Sequence, residues 1–175
     1  MALSGVYPAT LTQARYEETY TSLTVPAFPG FSPGDVSIDN MGGQWVFAKT
    51  SAACAAYALC TLSQANIPLA AEATTTTIAD FPVKLGIPQV AVASGSYGWF
   101  WRGPGGGVGR GIKVLAANAT LAKILYTTAT AGVVDDANVD ESVVSGLTLT
   151  ATVTTQDSIE VSASIPLACN LVEPD

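Results

Sequence analysis

The stretch Tyr97–Trp101 reads Tyr-Gly-Trp-Phe-Trp, the densest run of aromatic residues in the chain. Side chains alternate between the two faces of a β-strand, which places Tyr97, Trp99 and Trp101 on one face and Phe100 on the other. Bulky rings on both faces indicate that both faces are covered, one by the core and one by further chain or a second subunit. The run therefore predicts a strand whose Tyr97, Trp99 and Trp101 lie in the core or at a contact between subunits.

Short segments with strand character surround this run, separated by turns rich in glycine, serine and asparagine. They are residues 36–38, 44–49, 90–93, 97–102, 111–115, 124–128, 147–154 and 158–165. Residues 51–62 are rich in alanine and fit either a helix or a short strand. Because no amphipathic helix separates the strands, the pattern predicts an all-β chain with a β-barrel or sandwich-like domain.

The first part of the chain has a different character. Residues 1–34 contain four prolines, which interrupt helices and most strands, and only residues 11–20 could be helical. We therefore expect two parts: an extended N-terminal arm over residues 1–34 and a β-rich domain over residues 35–175. The arm is either disordered or laid along a neighbouring surface, and the second interpretation is favoured.

An internal repeat is suggested by alanine spacing. Lys49 with Ala52, Ala53, Ala55 and Ala58 recurs in register as Lys113 with Ala116, Ala117, Ala119 and Ala122. Each copy follows a strand and leads into a β-branched segment. The pattern favours a duplicated substructure, although alanine is common enough in this chain to produce such a match by chance.

Composition excludes several classes of function. Charged residues make up 12% of the chain and the formal net charge is −7, so the positive surface that nucleic acids require is not expected. The sequence contains no histidine, which removes the commonest general base and every Ser-His-Asp or Cys-His arrangement. We expect a protein that is not an enzyme and that binds no cofactor.

Metal binding is not expected either. The three cysteines, Cys54, Cys60 and Cys169, fit no zinc spacing and indicate buried thiols in a reducing compartment. Asp136-x-Asn138-x-Asp140 resembles part of a calcium loop, but the turn glycine and the bidentate glutamate of an EF-hand are missing. Binding of a divalent ion by this incomplete set of oxygen ligands is one interpretation, and a solvated turn is the favoured one.

Residues 103–111 form a glycine-rich loop without the Gly-Lys-Ser/Thr ending of a phosphate-binding loop. The glycine content predicts a flexible loop without regular structure. Arg102 and Arg110 flank it and are candidates for pairing with a carboxylate on another subunit, while a solvated loop is the alternative. The N-terminus has neither a basic segment nor a long apolar run, so we expect synthesis in a cytoplasm and no membrane association.

Four stretches resemble a known family. Residues 44–53 (QWVFAKTSAA), 86–99 (GIPQVAVASGSYGW), 125–132 (LYTTATAG) and 144–147 (VSGL) are similar to the small decoration, or cement, proteins of tailed-bacteriophage capsids. The resemblance covers roughly residues 35–170, and residues 86–99 are its most specific part. The loop over residues 103–111 is longer than the family pattern, and the arm has no counterpart in it.

The resemblance implies a β-barrel-like fold and a homotrimer on the exterior of the virion, bound to the major capsid protein and without catalytic activity. In that setting the arm contacts the capsid or a neighbouring subunit through Tyr16, Tyr20, Phe28 and Phe31. The core or trimer contacts are Tyr97, Trp99, Trp101, Arg102 and Arg110. Two alternatives stay open: a head-fibre or tail-associated virion protein, and a carbohydrate-binding β module that stacks sugars on Trp99 and Trp101.

Overall fold

Thirteen β-strands and no helix occur in the part of the chain that the computed structural model describes, which is residues 12–13, 31–39, 42–63, 68–74, 83–137 and 142–171. In chain order the strands are β1 (Thr12–Gln13), β2 (Val36–Ile38), β3 (Gln44–Thr50), β4 (Cys60–Leu62), β5 (Leu69–Glu72), β6 (Val83–Pro88), β7 (Tyr97–Trp101), β8 (Gly105–Gly106), β9 (Lys113–Ala116), β10 (Leu125–Thr127), β11 (Val133–Asp135), β12 (Ser142–Leu149) and β13 (Asp157–Leu171). The predicted all-β class is confirmed. Within these residues, no helix has the length and apolarity needed to span a bilayer.

The first barrel is a closed ring of five strands in the spatial order β3, β5, β4, β6 and β7. It closes because β7 pairs with β6 through Ile87 and Trp101 and with β3 along its whole length. The pair β3–β5 is parallel, with Lys49 opposite Leu69, and the other four pairs are antiparallel. Because the ring is closed, each of its strands pairs with a neighbouring strand on both edges along part of the strand's length.

The second barrel repeats this topology. Its ring follows the order β9, β11, β10, β12 and β13, and closes through pairing of β13 with β9. Again the first and third strands in sequence are the parallel pair, with Leu115 opposite Val133. The remaining pairs are antiparallel. The duplicated substructure suggested by the sequence is therefore present as two barrels of identical strand order.

Local details are duplicated together with the topology. The Ala55 N–H donates to the Glu72 carboxylate at 2.6 Å, and the Thr120 N–H donates to the Asp136 carboxylate at 2.9 Å. Isolated bridges join Cys54 to Val92 in one barrel and Ala119 to Val153 in the other. At residues 54–55 and 119–120 these pairs differ by one residue from the alignment that the alanine spacing predicted. The parallel pairs, Lys49 with Leu69 and Leu115 with Val133, place β3 and β9 two residues away from it.

Alternation along β3 separates two apolar clusters. Val46 and Ala48 face the interior of the first barrel, whereas Trp45 and Phe47 face outward. The interior is tight, since a Cβ at Gly86 would lie 2.9 Å from side-chain atoms of Leu62 and Phe100. The outward face joins the core of the second barrel in one continuous cluster. The core of the chain therefore includes the outer wall of one barrel.

The first barrel contacts the second through pairing of β6 with β13 and through the three-residue segment 57–59. The ends of this segment bond to the second barrel, with the Leu115 N–H donating to the Tyr57 carbonyl and the Leu59 N–H donating to the Gly132 carbonyl, both at 2.8 Å. Gly132 has a φ of +74°, and a Cβ there would lie 2.6 Å from the Ala58 Cβ. This close approach requires glycine.

Several predicted segments differ from the structure. Residues 90–93 are not a strand and contribute one bridge at Val92. Of the two forms considered for residues 51–62, the structure has the short strand, β4, at the end of the segment. Turns precede it, held by long-range backbone bonds such as that from the Cys54 N–H to the Val92 carbonyl. The prediction of a loop without regular structure over residues 103–111 is wrong at β8, which pairs with β13.

Only part of the predicted arm falls among the described residues. β1 pairs with β7 through Thr12 opposite Gly98, which differs from the helix considered for residues 11–20. Residues 31–34 run irregularly into β2. The described part of the β-rich domain is divided further than the sequence suggested, into the two barrels.

Candidate interaction surfaces

The aromatic run lies inside the chain. Trp99 and Trp101 are 4% and 0% exposed, and they lie opposite Phe47 and Trp45 on β3. The Trp45 indole N–H donates to the Asp39 carboxylate at 2.9 Å, whereas the Trp101 Nε1 is buried without a partner among the described residues. Because both tryptophans of the run are buried, neither offers a stacking platform to a sugar ring.

Phe31 closes this aromatic face from the N-terminal side. Its ring meets Trp99 edge to face at 4.9 Å and packs against Phe47 at 5.7 Å. Tyr97, which is half-buried, stacks on Phe47 at 5.8 Å and lies beneath the Lys49 ammonium at 5.5 Å. The structure thus brings Phe31 together with Tyr97 and Trp99, three residues that the sequence analysis assigned to two different surfaces. Tyr16, Tyr20 and Phe28 lie outside the described residues.

The glycine-rich loop is built against β13. A Cβ at Gly106 would overlap the carbonyl oxygen of Val161, so glycine allows β8 to approach the long strand. At the loop tip, the N–H groups of Gly109 and Gly111 donate to the Glu160 carboxylate at 2.8 Å and 3.1 Å. These two hydrogen bonds lower the pKa of Glu160. The loop is therefore held by its own chain at both its base and its tip.

The two arginines that flank the loop have different surroundings. Arg102 is half-buried and donates from its Nε to the Leu85 carbonyl at 3.3 Å, and burial lowers its pKa. Its backbone joins two further segments, with its N–H donating to Gln44 and its carbonyl accepting from Leu167. Arg110 is exposed on the loop. Arg102 is therefore a structural residue of the first barrel, and Arg110 is the more exposed of the two arginines.

Only some of the candidate metal ligands fall among the described residues. In the described ranges, no group of three or more histidine, cysteine, aspartate or glutamate residues could hold a metal ion. Hydrogen bonds from Thr120 lower the pKa of Asp136, and burial raises the pKa of Asp135. The other two positions of the possible calcium loop, Asn138 and Asp140, lie outside the described residues.

The two cysteines whose side chains are described, Cys54 and Cys60, are free thiols inside the first barrel. Burial raises the pKa of Cys60 well above its ordinary value, and the hydrogen bond from Cys60 lowers the pKa of Cys54. Neither is presented to solvent, since they are 2% and 0% exposed. They form part of the core rather than of a surface site.

Large apolar side chains that remain exposed were not singled out by the sequence analysis. They are Val36, Ile38, Leu69, Val108, Leu121, Ile124 and Ile165, with exposures from 42% to 78%. Val36 and Ile38 stand on the same face of β2, which pairs with β3 alone among the described strands. The apolar-polar alternation of residues 36–38 predicted a strand, but only the structure shows that its apolar side is the exposed one.

Comparisons with known proteins gave few matches. No protein-family model and no curated protein sequence matches the chain. Among solved structures, the chain is similar to the head fiber gp8.5 N base of bacteriophage phi29, with 17% sequence identity and a TM-score of 0.49. The similarity covers 70% of this chain and 95% of the phage chain.

Proposed function

We propose that this chain is a structural capsid decoration, or cement, protein that binds the outer surface of a phage head and stabilises contacts between major capsid subunits. The resemblance of residues 86–99 to decoration proteins supports the proposal. This stretch supplies the end of β6 and the start of β7, so it lies where the first barrel closes. The chain acts by binding and not by catalysis.

The observation that supports the proposal is the pair of exposed apolar side chains on β2, whose second edge is unpaired among the described strands. Val36 and Ile38 are each 58% exposed, while Ser37 between them is buried. Edge strands of soluble proteins are normally protected by charge, proline or covering chain, because an open apolar edge recruits other strands. An extended segment of a capsid subunit can add to this edge by backbone pairing and cover both side chains.

The proposed stabilisation of the shell follows from mass action. A protein that binds the assembled shell but not its separated subunits stabilises the shell by the free energy of that binding. The partners in this proposal are the major capsid protein and further copies of the chain, as a homotrimer on the virion exterior. Synthesis in the host cytoplasm agrees with the free thiols of Cys54 and Cys60.

The test mixes the purified chain with capsids that lack it and measures co-sedimentation and the temperature at which the shells come apart. The wild-type chain should co-sediment and raise that temperature. The double variant Val36→Asp with Ile38→Asp should do neither, because it places charge on the β2 edge. Val108→Asp, which changes a residue that is 78% exposed on the glycine-rich loop, is the matched control.

Electron microscopy of intact particles decides between this proposal and a head-fibre or tail-associated protein. Density for the chain on the outer face of the shell, at junctions between capsid subunits, is the expected result. Density confined to a projecting fibre or to the tail would replace the cement role with the alternative. Particles without the chain, together with no co-sedimentation, would reject both.

A further inference from the structure

The two barrels are joined by pairing of β6 with β13 and by a second contact that uses one face of each barrel. On the first barrel the face is centred on Leu59, which is fully buried and donates its N–H to Gly132. On the second barrel the face is centred on Gly132 and Val133, and Val133 is 2% exposed. We call these two surfaces the 59 face and the 133 face.

The second barrel carries its own copy of the 59 face, at residues 121–124. Ala122 has a φ of 61°, as Tyr57 has a φ of 67°, so the turn has the same backbone form in both barrels. The counterpart of Leu59 is Ile124, which is 61% exposed, and the neighbouring Leu121 is 49% exposed. The second copy of this face is therefore apolar and uncovered by the described part of the chain.

The first barrel in turn carries a copy of the 133 face. Its parallel pair places Leu69 opposite Lys49, as the second barrel places Val133 opposite Leu115. Leu69 is 42% exposed where Val133 is buried. Each face thus occurs twice in the chain, once covered by the other barrel and once open.

We propose that copies of this chain associate head to tail, with the Leu121 and Ile124 face of one copy packed on the Leu69 face of the next. The occupant is a second copy because the chain presents both open faces, each at a position whose counterpart is covered in the other barrel. Pro68 and Lys123 stand where the covered pair has Gly132 and Ala58, so two copies approach less closely than the two barrels do within the chain. Such a contact is heterologous and forms a closed ring where the rotation between copies closes. The inference gives an interface to the homotrimer of the proposed function and rests on that proposal only for the number of copies.

One difference between the barrels sets the form of the contact. In the second barrel, the Leu115 N–H and the Gly132 carbonyl both bond to segment 57–59. In the first barrel, the group equivalent to the Leu115 N–H is the Lys49 N–H, and the group equivalent to the Gly132 carbonyl is the Pro68 carbonyl. These two groups bond to each other at 3.0 Å. The contact between copies is therefore made by side chains, and we expect it to be weaker and more readily reversible than the contact within the chain.

The test measures the mass of the isolated full-length chain by sedimentation equilibrium over a range of concentrations, without capsids. Ile124→Asp and Leu69→Asp should each raise the dissociation constant at least about tenfold, since each buries a carboxylate in an apolar contact. Val108→Asp is the surface control and should leave association unchanged. Far-UV circular dichroism and thermal unfolding verify that every variant folds.

Mixing the two variants distinguishes a head-to-tail contact from a symmetric one. Ile124→Asp keeps an intact Leu69 face and Leu69→Asp keeps an intact Ile124 face, so an equimolar mixture should form dimers that grow no further. Wild-type chain that stays monomeric, variants that associate like the wild type, or a mixture without dimers would each overturn the inference. If the variants behave as expected but the wild-type chain does not bind capsids, the proposed function fails and this inference stands.

Discussion

Phe31 and Trp99 meet edge to face, with their ring centroids 4.9 Å apart and their planes at 76°. The contact ties the segment that precedes β2 to the outer wall of the first barrel. Phe31→Ala should lower the free energy of unfolding by about 1–3 kcal/mol, because a half-buried ring and its contacts with Trp99 and Phe47 are lost. Urea unfolding followed by tryptophan fluorescence measures the change. Val108→Ala is the control, and a loss as small as that of the control would contradict the packing described here.

Alanine substitutions at Gly132 and Gly109 distinguish two contributions to the free energy of unfolding, the strain of a backbone conformation and the clash of a side chain. Both glycines have positive φ, at +74° and +72°, but a Cβ at Gly109 meets nothing within 4 Å while one at Gly132 lies 2.6 Å from the Ala58 Cβ. Gly109→Ala should cost about 1 kcal/mol, the strain of a left-handed residue with a side chain. Gly132→Ala should cost about 2 kcal/mol more, because the barrels must move apart. Equal losses in urea unfolding would show that the barrels do not approach at this point.

Trp45 and Trp101 lie opposite each other on neighbouring strands and differ in their hydrogen bonding. The Trp45 indole has the Asp39 carboxylate as its acceptor, and the buried Trp101 indole has no acceptor among the described residues. Trp45→Phe should therefore destabilise the chain by about 1 kcal/mol more than Trp101→Phe, since only the first change removes a charge-assisted bond. Equilibrium unfolding of both variants checks the order, and the reverse order would contradict it.

Stability should depend on pH through Glu160. Its pKa in the folded chain is lowered by the N–H groups of Gly109 and Gly111, so its carboxylate stabilises the folded state above the ordinary value of 4.5 and this contribution is lost as pH falls through the folded pKa. The advantage of the wild-type chain over Glu160→Gln should be constant near neutral pH and shrink below about pH 4.5. Urea midpoints of both proteins between pH 3 and pH 7 measure it, and an advantage that grows on acidification would refute the assignment.

Cys54 and Cys60 should resist alkylation until the first barrel unfolds. Both side chains are buried in its interior, and burial raises the pKa of Cys60, which disfavours the reactive thiolate. In a Cys169→Ala background, iodoacetamide at pH 8 should label neither thiol in native buffer and both in concentrated urea, as read by mass spectrometry. Native labelling at the rate of a free thiol would show that the interior is open to solvent.

Much of the strand content could be predicted because it is local. Alternation identified β2, β3, β7 and β10 to within about two residues, and spaced alanines pointed to a duplication. Local signals left residues 51–62 undecided between a helix, which the alanines favour in isolation, and the short strand that the structure has as β4. There the backbone bonds to residues 70, 88 and 92 decide the conformation, and propensity contains no information about such distant partners.

The contacts of surface residues were harder to predict from the sequence. The contact of Phe31 with the capsid or a neighbouring subunit stays a prediction, and within the chain its ring packs on Phe47 and Trp99. Leu59 and Ile124 have nearly the same size and occupy the same place in their barrels, yet one is buried and the other is exposed. Leu59 is covered by residues about 70 positions further along the chain, such as Gly132, and no local pattern contains information about so distant a partner.

The short connection between the barrels has a consequence for affinity. Residues 102–112 link β7 to β9 and keep the second barrel within reach of the first, so the 59 face and the 133 face meet at an effective concentration on the order of millimolar or higher. The covered pair of faces therefore needs little intrinsic affinity to stay closed. The open pair lacks this advantage in dilute solution and gains it wherever another surface gathers several copies side by side.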